Sequence, residues 1–165
     1  MRADLAGCFA VIHPRLWRFC VVMTGDRADA EDLVQQTYLR ALEKQKQYQE
    51  DGKLDRWLFT LARRIWLNEC RARKLRVGRG LEQADEAGLA SDEPESEASV
   101  FATQVLKKIM KLPSEQSLTV LLVYREGQSY REAADILDCP IGTIMSRLAA
   151  ARTKLNRDCP REVDE

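Results

Sequence analysis

"SYREAADILDCPIGTIMSRLAAARTKL", residues 129–155, decides the fold of the C-terminal part of this chain. Ser129-x-x-Glu132 ahead of an apolar run is the pattern of a capping box at a helix start, with Ala133, Ile136 and Leu137 as that helix's packing face. Three residues, Asp138, Cys139 and Pro140, separate it from a longer helix. There Ile141, Ile144, Leu148, Ala151 and Leu155 recur every three or four residues, which marks one buried face. The opposite face is unusual. At about 100° per residue, Ser146, Ala149, Ala150 and Thr153 point furthest from the core, flanked by Thr143 and Arg147. Solvated helix faces carry mostly charged and long polar residues; this one is small and edged with cations. Short helix, tight turn and longer helix with a bare outer face is the helix-turn-helix plan. In it the second helix enters the DNA major groove, where alanines admit the backbone closely and Thr143, Ser146 and Arg147 reach base edges or phosphates.

Upstream of that motif, "FATQVLKKIMKL" (101–112) and "PSEQSLTVLLVYREG" (113–127) read as two more helices, the second with proline in its first turn. The N-terminal part is helical as well. "DLAGCFAVIHPRLWRFCVVMTG" (4–25) reads as a helical hairpin bent or interrupted at Pro14. "DRADAEDLVQQTYLRALEK" (26–44) follows, with Asp26 or Asp29 as N-cap, a buried stripe of Val34, Tyr38, Ala41 and Leu42, and Asp32, Gln35, Gln36 and Arg40 on its outer side. In "KLDRWLFTLARRIWLNECRARKLR" (53–76), Leu54, Trp57, Leu58, Leu61, Ala62 and Ile65 form a core stripe. Phe59 and Trp66 lie off that stripe among Arg56, Arg63 and Arg64, and Asn68, Arg71, Arg73 and Lys74 continue the basic surface. Guanidinium groups beside aromatic rings suit single-stranded nucleic acid, since cations hold phosphates while bases stack.

The formal net charge of the 165 residues is zero, but its distribution is not even. Residues 53–79 hold nine Lys or Arg against Asp55 and Glu69, a surplus of seven positive charges. Residues 80–99, "GLEQADEAGLASDEPESEAS", hold seven acids and no Lys or Arg. The basic block needs a polyanion to justify it. The acidic strap has no aromatics and no apolar period, so it reads as a flexible linker. The expected architecture is therefore all-α, in three parts: a helical domain at 1–78, an acidic linker at 79–99, and a helix-turn-helix domain at 100–160. Each domain sits near the lower size limit for an independent core.

Several function classes fall away. With 45% hydrophobic and 32% charged residues the composition is that of a soluble globular protein. The apolar runs 5–12 and 118–124 are far shorter than a bilayer requires, and no signal peptide is read at the N-terminus. A cytoplasmic protein without membrane insertion is expected. Cys8, Cys20, Cys70, Cys139 and Cys159 form no C-x-x-C pair, and there is one histidine, His13, read as structural. No metal site and no cofactor are expected, and the thiols read as buried and free. Catalysis is rejected: there is no phosphate-cradling glycine loop, no nucleophile with a nearby base and no paired acidic metal site. Glu31 and Asp32 are adjacent and face different directions on a helix.

"GDRADAEDLVQQTYLRAL", "RWLFTLARRIWLNECRAR" and "LPSEQSLTVLLVYREGQSYREAADILDCPIGTIMSRLAAARTKL", in this order, resemble the bacterial RNA polymerase sigma factors of the extracytoplasmic function (ECF) group. The resemblance spans nearly the whole chain outside the linker. It implies a two-domain initiation factor that binds core RNA polymerase (β′ clamp helices and β flap) and promoter DNA. It further implies transcription of a stress or envelope-signal regulon, and an anti-sigma factor that holds the protein off. By position, Asp32, Gln35, Gln36 and Arg40 become polymerase contacts. Arg56, Arg63, Arg64, Asn68, Arg71 and Lys74 become contacts to the melted −10 strand, and the loop "QKQYQEDGK" (45–53) holds a flipped-out base. Ser129, Thr143, Ser146, Arg147 and Arg152 become −35 contacts. Met145, Ala150 and Ser117 stand where relatives often have a cation, which implies a weaker phosphate grip and an unusual −35 preference. The strap, which in the family threads the RNA-exit path, is expected to fold back over the basic surface in the free protein. The alternative is a stand-alone helix-turn-helix transcriptional regulator, which would leave the 29–42 helix and the basic helix without a task.

Overall fold

The structure, a computed structural model, describes residues 4–49, 52–79 and 97–158. Among these residues there is no β-strand. The chain divides into two compact units, residues 1–90 and 91–165. The first holds α1 (Leu5–Thr24), α2 (Arg27–Glu43), a 3-10 turn (Gln45–Gln47) and α3 (Leu54–Gly78). The second holds α4 (Glu97–Met110), α5 (Ser114–Val120) running into a π turn (Leu121–Arg125), α6 (Tyr130–Leu137) and α7 (Ile141–Asp158).

The expected hairpin at 4–25 is instead one helix that passes through Pro14. Proline deletes one helical hydrogen bond, normally accepted by the carbonyl four residues earlier. Ala10 and Pro14 are both exposed, so water can serve that carbonyl while the opposite side stays packed. Leu5, Phe9, Ile12, Leu16 and Phe19 line that side. Gly25 ends the helix with φ 72°, a left-handed conformation that costs a residue without Cβ little. At 20 residues and a mean hydropathy of 1.3, α1 has the length and composition of a membrane span. Its apolar side is spent on this core: Leu16, Phe19 and Cys20 are fully buried, and α1 packs on α2 and α3.

Asp26 caps α2, its carboxylate accepting the Asp29 N–H at 2.9 Å. The inner stripe of α2 is Ala30, Leu33, Val34, Thr37 and Ala41. Tyr38 is half-buried and stacks on Phe9 with ring centroids 4.4 Å apart. Leu42, expected inside, is exposed, and Leu33 takes the inner place. In α3, Leu58, Phe59, Leu61 and Ala62 are buried, while Leu54, Trp57 and Ile65 are only half-buried. Phe59 thus belongs to the core and not to a nucleic-acid surface. Because α3 packs on both α1 and α2, its buried arc is wider than a single stripe. Phe59 fills the added angle, tilted against Phe19 at 4.8 Å between centroids.

In the second unit α4 begins at Glu97, inside the stretch expected as linker and before the expected start at 101. The rest of the strap, 80–96, lies outside the described residues, and with it the expected fold-back over the basic surface. Ser117 is 1% exposed. Its Oγ donates to the Ile109 carbonyl at 2.7 Å, closing the end of α4. Ser117 therefore spends its hydroxyl inside the unit and offers none to a phosphate. The Ser129 capping box forms in full: Ser129 Oγ accepts the Glu132 N–H and the Glu132 carboxylate accepts the Ser129 N–H. Asp138, with φ 50°, ends α6 in the left-handed region. The three-residue turn then delivers α7, whose Ile144, Leu148 and Ala151 are buried. The ends of its expected stripe are looser, with Ile141 exposed and Leu155 half-buried.

Candidate nucleic-acid interface

The basic helix α3 presents its charge unevenly. Arg64, Asn68, Arg71 and Lys74 are exposed, and Arg56 and Arg63 are half-buried. Arg71 Nη1 donates to Asn68 Oδ1 at 3.2 Å, which joins two of the expected strand contacts on one face. Arg73 and Arg76 are engaged inside the protein. Arg73 donates a parallel pair of bonds to Asp29, 2.9 and 2.8 Å, and a third to Glu69 at 3.0 Å. Arg76 donates to the same Glu69 oxygen at 3.1 Å. The Arg73 hydrogen bond is the main cause that holds both the Asp29 and the Glu69 carboxyl below the usual carboxylate range. Arg73 itself is pushed up, first by Asp29 and then by Glu69. Trp66 is half-buried, with the Arg73 guanidinium 5.1 Å from its ring centre.

A cleft of about 250 Å³ opens where the loop after α2 meets the first turns of α3. Gln47, Tyr48, Gln49, Lys53, Arg56, Trp57, Thr60 and Arg64 line it. The Tyr48 and Trp57 rings tilt toward each other with centroids 5.1 Å apart. Two aromatic faces with Lys53, Arg56 and Arg64 around them are suited to hold an unstacked base and its phosphates. Gln47, Tyr48, Gln49 and Lys53 of the loop expected to hold a base border this cleft; its residues 50 and 51 lie outside the described residues. Tyr48 belongs to the loop expected to hold the base, whereas Trp57, expected in the core stripe, is half-buried and lines the cleft. A tyrosine amid glutamines, nine residues before a tryptophan in the next helix's first turn, was the available signal.

On α2, Asp32, Gln35, Gln36 and Arg40 are all exposed. Asp32, Gln36 and Arg40 follow one another at four-residue steps and so share a face. Arg40 pairs with Glu43 at 3.1 Å. Leu39, unremarked in the sequence, stands beside them at 64% exposed. His13 of α1, facing the neighbouring cleft, lies 3.2 Å from the Tyr38 hydroxyl, consistent with a structural role.

On the helix-turn-helix, Ser129, Ser146 and Arg152 are exposed and Thr143 is half-buried. Ser146 Oγ donates to the Thr143 carbonyl at 3.0 Å, so it must rotate to reach a base. Arg147 stands apart from this set. It is half-buried, with Nη1 3.1 Å from Glu115 and 3.7 Å from Cys139 Sγ, and so clasps α5 and the turn to α7. Met145, 52% exposed, and Ala149 leave the outer face bare, as the sequence indicated.

The four described thiols are free, as expected, but they are not all buried. Cys20 is buried, and burial pushes its thiol up to about 12. Cys8 is exposed, Cys70 and Cys139 are half-buried, and Cys159 lies outside the described residues. Among the described residues no three His, Cys, Asp or Glu side chains form a metal-binding group.

Residues 9–76 match the family described as "Sigma-70 region 2" and residues 102–155 match "Sigma-70, region 4". The ECF RNA polymerase sigma factor EcfG of Rhodopseudomonas palustris is 36% identical over 145 residues, covering 87% of this chain and 78% of the relative. The ECF sigma factor SigC of Mycobacterium tuberculosis is 32% identical over 143 residues, covering 87% and 76%. Among solved structures, the sigma factor RpoE of Bartonella quintana, in complex with the anti-sigma factor NepR, has a TM-score of 0.74 and 29% identity, with 98% of this chain and 99% of that one covered. CnrH, solved with the cytosolic domain of CnrY, shares the fold at a TM-score of 0.62 and 21% identity, covering 92% and 84%. The basic aromatic helix lies within the region-2 match and the bare-faced helix-turn-helix within the region-4 match, and the chain belongs to the ECF group of RNA polymerase sigma factors.

Proposed function

We propose that this protein docks on core RNA polymerase through Asp32, Gln35, Gln36 and Arg40 of α2, which would meet the β′ clamp helices, and through its second unit at the β flap. The helix-turn-helix then reads the −35 element with Thr143, Ser146, Arg147 and Arg152, while Ser129 at the N-cap of α6 lies near a phosphate. Arg56, Arg63, Arg64, Asn68, Arg71 and Lys74 hold the melted −10 strand, and the Tyr48–Trp57 cleft takes the base flipped out of it. The observation that carries this reading is that cleft: two facing rings at the mouth of a cationic helix are suited to an unstacked base.

The protein performs no chemistry of its own in this scheme and uses no cofactor. It acts in the cytoplasm, on a stress or envelope-signal regulon, and an anti-sigma factor holds it off until the signal. That last partner is suggested by RpoE of Bartonella quintana, solved in complex with NepR. Domain limits of 1–78 and 100–160 around an acidic linker suit the scheme, since each module would act on its own promoter element. Run-off transcription with core polymerase on a library of genomic fragments tests it. Initiation from fragments that share two spaced elements is the expected result. No initiation, together with tight specific binding to duplex DNA by the protein alone, would overturn it in favour of a stand-alone regulator.

A further inference from the structure

The last buried residue of α3 is Ala62, yet the helix runs on to Gly78. Its second half, which carries Asn68, Arg71 and Lys74, packs less deeply, with Ile65, Trp66, Glu69, Cys70 and Arg73 half-buried. Arg73 ties it to α2 with a forked grip on Asp29, and makes a third bond to Glu69. Asp29 lies in the first turn of α2, one turn before Asp32. Asp32 and Gln36 border the same small cleft, about 130 Å³, as Trp66, Glu69 and Arg73. The face assigned to polymerase and the helix assigned to the melted strand thus meet at one guanidinium.

We propose that Arg73 is a positioning residue for promoter melting: it does not bind phosphate but fixes the second half of α3 in direction against α2, so that polymerase docking at Asp32 and Gln36 orients Asn68, Arg71 and Lys74 toward the strand. The inference rests on the initiation function proposed above. Three physical points carry it. A phosphate would have to break a forked, charge-assisted pair, and Arg73's departure would strip Asp29 of that fork and take one of the two arginines from Glu69. The pair is also a poor source of bulk stability, because the Arg73 and Asp29 side chains are 41% and 27% exposed. What a planar fork does supply is direction, which a point charge on a flexible stem does not.

The test uses the full chain with core polymerase on the strongest genomic fragment recovered by run-off transcription. Melting is read by permanganate reactivity of the opened thymines, and core affinity is measured separately. Asp29→Asn removes an anion from a DNA-binding unit, so simple electrostatics predicts faster melting. The bracket predicts melting slower by about three- to tenfold at unchanged core affinity. Arg73→Lys keeps the charge and loses the fork; it is expected to be slowed alike, with the wild-type salt dependence retained. Lys74→Ala, a strand contact, is expected to lower the salt slope by about one instead. Tryptophan fluorescence confirms that each variant is folded at the assay temperature, and Arg73→Lys decides if Asp29→Asn is not. Melting by Asp29→Asn at or above the wild-type rate, or an Arg73→Lys protein equal to wild type, overturns the bracket. Wild-type protein that melts no fragment would instead refute the initiation reading, and the bracket would fall with it.

Discussion

Replacing Phe59 by leucine separates the two roles an aromatic residue can have on a basic helix. Phe59 is fully buried, packs on Phe19 at 4.8 Å and lies 5.8 Å from the Arg15 guanidinium, which itself pairs with Asp55 at 2.9 Å. Leucine keeps the site apolar but removes the aromatic pair, worth about 0.5–1.5 kcal/mol beyond area. It also removes roughly one methylene equivalent of burial, about 0.8 kcal/mol. The sum is about 2 kcal/mol. In a unit of this size each kcal/mol moves the midpoint by about 4–8 °C, so Phe59→Leu is expected to lower it by roughly 10 °C. The assay is specific to the first unit, because Trp17, Trp57 and Trp66 are the chain's three tryptophans and all lie there. Binding of a −10 single strand, measured well below the midpoint, is expected to stay within about twofold of wild type. Tyr48→Ala should do the reverse, since stacking on one base is worth about 1–3 kcal/mol and Tyr48 is half-buried at the cleft. Loss of strand affinity in Phe59→Leu at an unchanged fluorescence midpoint would refute the reasoning and return Phe59 to the surface.

Glu115→Gln should release Arg147 from its 3.1 Å pair and tighten −35 duplex binding by roughly twofold to fivefold; weaker binding would mean that the pair holds α7 in its reading position. Ser117→Arg should destabilise the second unit as followed by far-ultraviolet circular dichroism, because it replaces a buried hydroxyl bonded to the Ile109 carbonyl by a charge at a site 1% exposed; an unchanged midpoint would contradict this. The lowered carboxyls of Asp29 and Glu69 lend stability that is present above the ordinary carboxylate range and lost as pH falls through their depressed values. The midpoint gap between wild type and Asp29→Asn should therefore close below about pH 4, and a gap that persists in acid would count against the pair. Cys20, buried and pushed up to about 12, should resist thiol reagents near pH 8 until the first unit unfolds, whereas Cys8 should react at once; equal rates would refute the burial.

The second unit was the more legible of the two, for a reason visible in its residues. Ser129 and Glu132 cap a helix through their own side chains, the Asp138–Pro140 turn has three residues, and Ile144, Leu148 and Ala151 mark one face. Every one of those signals is local. In the first unit the errors fell where distant residues decide. Pro14 breaks a helix by local rules, but α1 continues because Pro14 faces solvent while Phe9, Ile12 and Leu16 hold the other side. Phe59 sits off a one-sided stripe and becomes core only because α3 meets two helices. In the second unit Ser117 is the counterpart: its bonds to the Ile109 and Leu112 carbonyls follow from packing and not from a local pattern.

Charge was the least legible quantity, because a count of cations says nothing about which are already spent. The run 53–79 offers nine positive residues, yet Arg73 and Arg76 face Asp29 and Glu69, partners 44 and 7 positions away in the chain. On α7 the same distinction divides two arginines that the sequence placed together: Arg152 is exposed, whereas Arg147 is joined to Glu115. Affinity for a polyanion scales with the phosphates actually neutralised, so Arg73 and Arg76, bonded to Asp29 and Glu69, should contribute little to its salt dependence. They hold the helices at angles from which exposed neighbours act. A cation on this helix is assigned to the fold by the acid it meets in space, and that acid can lie on another element, as Asp29 of α2 does for Arg73.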